Sequence, residues 1–214
     1  RKSFAGLFAY VSNRVPEISD DLCKIDDAMK AGFGWEHGPF QIWDAIGVDK
    51  ALEFMNEIGE KPADWVQEML DSGNKSFYNV KEGVNYYYDI TSKFQKKIPG
   101  QDAFIILDNI RDTKKVWGNT ETSLFDLGDG ILNLEFHSKM NSIGGGVISG
   151  INKAIDIAEQ KYDGLVIGNQ GANFSVGANL GMIFMMAVEQ EYDELNFSIK
   201  AFQDTMMRVR YSGI

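Results

Sequence analysis

Gly164-Leu165-Val166-Ile167-Gly168-Asn169-Gln170-Gly171-Ala172-Asn173-Phe174-Ser175-Val176-Gly177-Ala178-Asn179-Leu180 is the stretch on which the fold class turns. Its first residues form a short unbroken apolar run between glycines, the pattern of a buried parallel strand. A glycine-bearing loop follows, from Asn169 to Gly177. An apolar helix is then expected from Ala178 to Glu189. Gly177 lets the backbone turn where a side chain would obstruct it. The amides of Ala178 and Asn179 would then sit at a helix N-terminus, unsatisfied within the helix and at the positive end of its dipole. Such a place stabilises an anion, either a phosphate or the oxyanion of a thioester enolate. The residues alone leave a third reading open, a plain strand-to-helix turn that uses glycine for its geometry.

Around this stretch the pattern is α/β. Ser123–Leu127 and Ile131–Phe136 flank Gly128-Asp129-Gly130, a hairpin signal. Gly146–Gln160 is an amphipathic helix through Ile148, Ile151, Ile155 and Ala158. Leu195, Ile199, Phe202 and Met206 line a last helix. A hairpin followed by α-β-α belongs to the α/β class. The first half differs: all four prolines lie there, and its apolar spacing is helical. Helices are expected over Ser3–Asn13, Asp20–Ala31, Phe40–Ile46, Val48–Ile58 and from Pro62 to Leu70. Gly32, Gly34 and Gly73 act as stops. The boundary is expected near Trp117–Thr122, where Gly118-Asn119-Thr120 gives a turn signal. That makes residues 1–118 an all-helical domain with its linker, and residues 119–214 an α/β domain. The basic residues Lys93, Lys96, Lys97, Arg111, Lys114 and Lys115 read as a solvated face.

The formal net charge of −10 repels phosphate backbones, so nucleic acid is not an expected partner. No apolar run approaches the roughly 20 residues needed to span a bilayer, and the N-terminus lacks the long apolar segment of a signal peptide. A cytoplasmic protein is expected. Cys23 is the one cysteine; it cannot build a disulfide framework and reads as a small buried apolar residue. With His37 and His137 far apart, no metal site is expected. Neither Gly32-x-Gly34 nor Gly144-Gly145-Gly146 has the strand-to-helix context of a dinucleotide-binding turn. NAD binding by these residues is therefore not expected. The sequon Asn173-Phe174-Ser175 reads as silent.

Three segments carry a resemblance. Phe174-Ser175-Val176-Gly177-Ala178-Asn179-Leu180 resembles the Phe-Ser-x-Gly-Ala-Asp-Leu signature of the crotonase (enoyl-CoA hydratase) family. Leu134–Ile143, with Lys139, Met140 and Asn141, resembles that family's segment ahead of its first helix. Ile25-Asp26-Asp27-Ala28-Met29, through Gly32-Phe33-Gly34 and Gly38-Pro39-Phe40 to Asp44, resembles the C-terminal domain of 3-hydroxyacyl-CoA dehydrogenases. This last match covers about Phe4 to Tyr78.

The resemblance implies a fold in which a helical dehydrogenase C-terminal-type domain precedes the first part of a crotonase-like α/β domain. It implies that the backbone amide of Ala178 serves an oxyanion hole. Lys139, Met140, Ser175, Gly177 and Ala178 would then lie along a coenzyme A thioester. Asn179 departs from the family's Asp, which puts carboxylate-dependent packing in doubt at that position. NAD would act only through an upstream domain, and the hydratase glutamates would lie beyond Ile214. Glu36 and His37 are read as structural. The chain is thus expected to be an interior piece, inactive by itself, of a fused β-oxidation enzyme; the absence of an initiator methionine agrees. The implied parent hydrates trans-2-enoyl-CoA and oxidises 3-hydroxyacyl-CoA, as a homo-oligomer or in complex with a thiolase. A non-catalytic acyl-CoA-binding or structural module is the alternative.

Overall fold

Ala5, Phe8, Val11 and Val15 recur at three- and four-residue spacing, which gathers them on one face of a helix. They are buried in α1 (Lys2–Ile18) of a computed structural model that describes residues 2–214. Four more helices follow: α2 (Leu22–Phe33), α3 (Pro39–Ile46), α4 (Val48–Glu57) and α5 (Asp64–Asp71). Gly34 ends α2 in the left-handed conformation, φ 66°, as a helix C-terminal glycine does. Their shared core is aromatic. Phe8 stacks on Trp43 at a centroid distance of 4.7 Å, and Phe77 meets Trp43 edge-on at 5.1 Å. Phe8, Phe40, Trp43 and Phe77 are fully buried, and pairs in such geometry add about 1 kcal/mol each beyond their area.

This unit is not all-helical, contrary to the sequence-based expectation. An antiparallel sheet follows α5: β1 (Tyr78–Lys81), β2 (Val84–Asp89) and β3 (Phe94–Lys97), in the order β1-β2-β3. Its hairpin turns at Glu82 (φ 51°) and Gly83 (φ 80°), two consecutive left-handed residues that match the twist of the strands. Consecutive tyrosines on β2 explain why period-two alternation does not advertise it. Tyr87 and Tyr88 are both buried, Tyr87 because its hydroxyl donates to the Asp21 carboxylate at 2.6 Å. Residues 9–77 carry no strand.

The second compact unit begins at Ile106, ahead of the expected stretch around residues 117–122. Leu107 and Ile110 pack on Phe125, and β4 (Lys115–Gly118) pairs with β5 (Thr122–Gly128). The turn signal at Gly118-Asn119-Thr120 therefore marks a hairpin within this unit, and not the boundary. The hairpin of β5 with β6 (Ile131–Phe136) forms through Gly128-Asp129-Gly130 as expected, all three at positive φ. After α6 (Gly145–Lys161), β7 (Gly164–Ile167) adds parallel to β6, giving the order β4-β5-β6-β7. Val147, Ile151, Ala154, Ile155 and Ala158 of α6 close over Leu124, Leu132 and Leu134 of the sheet. A Cβ at Gly150 would lie 2.2 Å from the Thr122 hydroxyl, so that glycine sets how closely α6 approaches β5.

Two helices complete the unit. The first, α7, runs from Leu180 to Val188, two residues later than expected. It is apolar on every side, yet none of its residues is buried. The second, α8 (Tyr192–Tyr211), is held to α6 where Thr205 accepts a bond from the Asn152 amide at 2.9 Å.

One of the basic residues read as a solvated face is an anchor. Arg111 grips Glu135 at two points, Nε at 3.0 Å and Nη2 at 2.6 Å, and Glu135 is 3% exposed. Arg111→Ala is expected to strand that carboxylate. Loss of a fully buried pair costs roughly 3–5 kcal/mol, and the half-exposed guanidinium reduces this to about 2 kcal/mol. Urea denaturation of the variant at neutral pH measures it; a change below about 0.5 kcal/mol, the size of an ordinary surface substitution, would show that the pair contributes nothing.

Candidate functional site

Two short segments of the second unit face one another and are tied by named bonds. The Ser175 hydroxyl donates to the Asn141 carbonyl at 2.6 Å. The Asn141 side-chain amide donates to the Asn173 carbonyl at 3.0 Å. The Ser175 oxygen in turn accepts the Gly177 amide at 3.0 Å, and the Ile143 amide donates to the Gly177 carbonyl at 2.9 Å. The last contact makes an isolated parallel bridge between Ile143 and Ala178. Farther back, Asn169 accepts the Phe136 amide and donates to the Phe174 carbonyl, each at 2.7 Å. The structure thus brings Ser175, Gly177 and Ala178 against the segment that bears Lys139 and Met140. Gly177 takes φ 83°, the left-handed turn that its residue type allows.

The helix N-terminus differs from expectation. Asn179 is the N-cap of α7, its side-chain oxygen accepting the amides of Gly181 at 3.0 Å and Met182 at 3.3 Å. Asn and Asp cap comparably: the position needs a short side-chain acceptor, and a carboxylate is not required. Ala178 therefore precedes the cap and is not the first residue of the helix. Its amide has no hydrogen-bond partner among the described residues, and the residue is exposed. Lys139 and Met140 are exposed too, and the Lys139 ammonium forms no ion pair among the described residues.

NAD does not fit the N-termini of α6 and α7. A pyrophosphate needs free amides there, and the cap side chain already takes two of those on α7. On α6 the Glu121 carboxylate occupies the same place, accepting the Val147 amide at 3.1 Å. A Cβ at Gly146 would lie 2.6 Å from that carboxylate, so the run Gly144-Gly145-Gly146 makes room for Glu121 and offers no phosphate cradle. Among the described residues no group of three or more His, Cys, Asp or Glu could hold a metal ion. No helix is long and apolar enough to cross a membrane.

The first unit's motif resolves into a carboxylate clasp that the sequence reading did not find. Asp26, fully buried, accepts the Phe40 amide at 2.9 Å, the Gln41 amide at 3.0 Å and the Tyr78 hydroxyl at 2.8 Å. Asp44 accepts the amides of Phe77 and Tyr78, each at 2.8 Å. The two carboxyls thereby fasten α2, the start of α3 and β1 together. A Cβ on Gly38 would lie 2.3 Å from Asp26, which explains the glycine ahead of Pro39-Phe40. The signal was there, in an Asp inside an apolar helix face; a helix-period reading treats it as surface. Glu36 and His37 are exposed and stand outside the clasp. Burial pushes the Cys23 thiol up to about 11, as befits a small apolar residue.

Burial raises the Asp26 carboxyl despite its three donors and pushes Asp44 up to about 6. A carboxyl whose folded pKa exceeds its unfolded value binds more protons in the native state between the two values. Stability then falls as pH rises through that window. Between pH 4 and pH 6 Asp44 alone is expected to remove about 2 kcal/mol. Thermal unfolding across that range checks it: Asp44→Asn should flatten the fall, and an unchanged slope would remove Asp44 as its source.

Residues 9–87 match the family model of the 3-hydroxyacyl-CoA dehydrogenase C-terminal domain. A Bacillus subtilis (strain 168) protein named as a probable 3-hydroxyacyl-CoA dehydrogenase is 45% identical over 205 residues, 95% of this chain and 26% of that protein. A Rickettsia felis protein named as a fatty acid oxidation complex trifunctional enzyme is 28% identical over 210 residues, 97% of this chain and 26% of that one. The Rickettsia prowazekii protein of the same name is 26% identical over 207 residues. The chain spans about a quarter of the length of these relatives. No solved structure matches it. Aspartates on α2 and α3 that fasten the first turn of α3 and the first strand thus lie within the stretch, residues 9–87, that is similar to the 3-hydroxyacyl-CoA dehydrogenase C-terminal domain.

Proposed function

We propose that this chain serves a fatty acyl-CoA oxidation enzyme with two activities. The first is oxidation of 3-hydroxyacyl-CoA, with NAD held by a domain other than those described. The first unit supports that domain structurally. The second is hydration of trans-2-enoyl-CoA, in which the second unit, as the early part of a crotonase-like domain, holds the thioester. A relative named as a trifunctional enzyme of fatty acid oxidation supports the pairing. The observation that carries the reading is the amide of Ala178, an exposed residue, which has no hydrogen-bond partner among the described residues and lies beside a bridge to Ile143, one residue ahead of the cap of α7.

In hydration, hydroxide from water bonds to C3 of the enoyl group, the C2–C3 π pair shifts toward the carbonyl, and the thioester oxygen becomes an enolate. The Ala178 N–H donates to that oxygen. Water's remaining proton then goes to C2 as the enolate collapses. A neutral thioester gains less from the donor than its enolate, so the contact favours the transition state over bound substrate. Lys139 supplies a point charge for the phosphates of coenzyme A, and Ser175 and Gly177 line the same thioester through their backbone, the Ser175 hydroxyl being taken by the Asn141 carbonyl.

The test is an assay of the full-length protein that carries this sequence. Crotonyl-CoA should be hydrated, and acetoacetyl-CoA should be reduced with NADH. Reduction without hydration would remove the thioester reading of the second unit and leave the dehydrogenase reading standing.

A further inference from the structure

Met140 and Asn141 are consecutive non-glycine residues in the left-handed conformation, φ 55° and 53°. Asn tolerates that region; a long side chain such as Met rarely enters it. Pairs of this kind persist only where the surroundings over-determine them, and they gather at functional sites. Here the surroundings are the loop that ends at Ala178. Asn141 meets it twice, by its side-chain amide to the Asn173 carbonyl and by its own carbonyl, which accepts the Ser175 hydroxyl. Ser175 passes the constraint on by accepting the Gly177 amide, and the Gly177 carbonyl receives the Ile143 amide. The bonds at the Asn141 carbonyl and at Gly177 fix peptides within two residues of Ile143 or Ala178, and the bond to Asn173 ties the earlier part of the same loop. Elsewhere the loop is tied by the Asn169 side-chain amide to the Phe174 carbonyl and by Phe174 against Phe136; Val176, Ala178 and Asn179, nearer the bridge, are exposed.

We propose that Asn141 and Ser175 are positioning residues for the Ala178 amide: their paired bonds set the direction in which that N–H points, and the left-handed Met140–Asn141 pair is the conformation that lets both form. The proposal rests on the oxyanion reading of Ala178. A donor that swings off the enolate oxygen loses its effect on the transition state while leaving thioester binding nearly intact, so kcat should fall and KM should not.

The experiment measures kcat and KM for crotonyl-CoA hydration by the full-length protein, with thermal midpoints as a control for folding. Asn141→Ala and Ser175→Ala should each lower kcat on the order of tenfold or more, with KM within about twofold. The double variant should be little worse than either, because the bonds act as one circuit. Ser175→Thr, which keeps the hydroxyl, should restore most of the rate. Asn141→Gly keeps the left-handed backbone and loses only the side-chain tie, so it should fall between parent and Asn141→Ala and covers the case in which the alanine variant fails to fold. If Ala178→Pro slows hydration while Asn141→Gly and Ser175→Ala match the parent's kcat, the positioning role is wrong and the oxyanion reading stands. A rise in KM alone, or no rescue by threonine, would make the two residues binding or packing groups and overturn the proposal. If Ala178→Pro itself leaves the rate unchanged, the oxyanion reading fails, and the proposal with it.

Discussion

Asp26→Ala is expected to destabilise the first unit by about 3 kcal/mol or more. The substitution removes the acceptor of three buried donors, the amides of Phe40 and Gln41 and the hydroxyl of Tyr78. A buried donor left without a partner costs about 1–3 kcal/mol, so three give a ceiling near 9 kcal/mol at the most. Against this, burial already penalises the ionised carboxyl, and removing it gives some of that penalty back. The two amides lie at the first turn of α3, where water can reach them once the side chain is gone. The net, about 3–4 kcal/mol, matches what is measured when one member of a buried charged network is removed. Asp26→Asn should recover roughly half, since its amide oxygen accepts but its nitrogen cannot. Urea unfolding followed by tryptophan fluorescence reads both, because Trp43 and Trp65 sit in the same aromatic cluster. A cost under about 1 kcal/mol, the value of one ordinary hydrogen bond, would mean the clasp is not what fastens α3 and β1.

The second large effect is catalytic. In the full-length protein Ala178→Pro is expected to lower the rate of enoyl-CoA hydration on the order of a hundredfold or more. Proline has no N–H, so the substitution deletes the one donor assigned to the enolate oxygen, and loss of one such donor typically costs about 10²–10³ in kcat. The amide makes no bond among the described residues, so its removal breaks no contact within the unit, and the thermal midpoint should shift little. Gly177 ahead of the ring restricts its own backbone on becoming a residue before proline; circular dichroism and the midpoint show whether the loop survives that. A folded variant that hydrates crotonyl-CoA at the parent's rate would take Ala178 out of the chemistry.

The helices and three strands of the second sheet were legible wherever apolar periodicity and glycine punctuation agreed; β4, which starts at Lys115, was not, because that residue read as part of a solvated face. Gly34 ends α2, Asp64 opens α5, and Gly128-Asp129-Gly130 turns the hairpin. The first unit's sheet was not legible, because Tyr86, Tyr87 and Tyr88 read neither as alternation nor as an apolar run. The division between units was misplaced because a turn signal cannot say whether the chain turns within a domain or leaves one. Leu107 and Ile110 commit that segment to the second unit through contact with Phe125, and such contacts have no local signature. At the candidate site, Gly177 and Ala178 stand out by residue type, while Asn141 does not: its part is played through a backbone carbonyl and a side-chain amide whose partners lie 32 and 34 residues away. The helix start was read two residues early because Asn179 looked like part of an anion cradle when it is the cap that fills one.

Helix α7 has a consequence for how molecules of this chain meet each other in solution. Nine residues, apolar on every side and none of them buried, put Leu180, Phe184 and Met185 at the surface with more than half of each exposed. Surface of this kind is sticky. What keeps such molecules apart is their common charge of −10, and that repulsion acts over about 10 Å at 0.1 M salt and about 3 Å at 1 M. The ionic strength of the medium thus sets whether two copies approach closely enough for their α7 helices to touch. Prepared by themselves, these 214 residues should stay dispersed at low salt and clump as salt rises, a colloid whose adhesive is one helix and whose spacer is its own acidity.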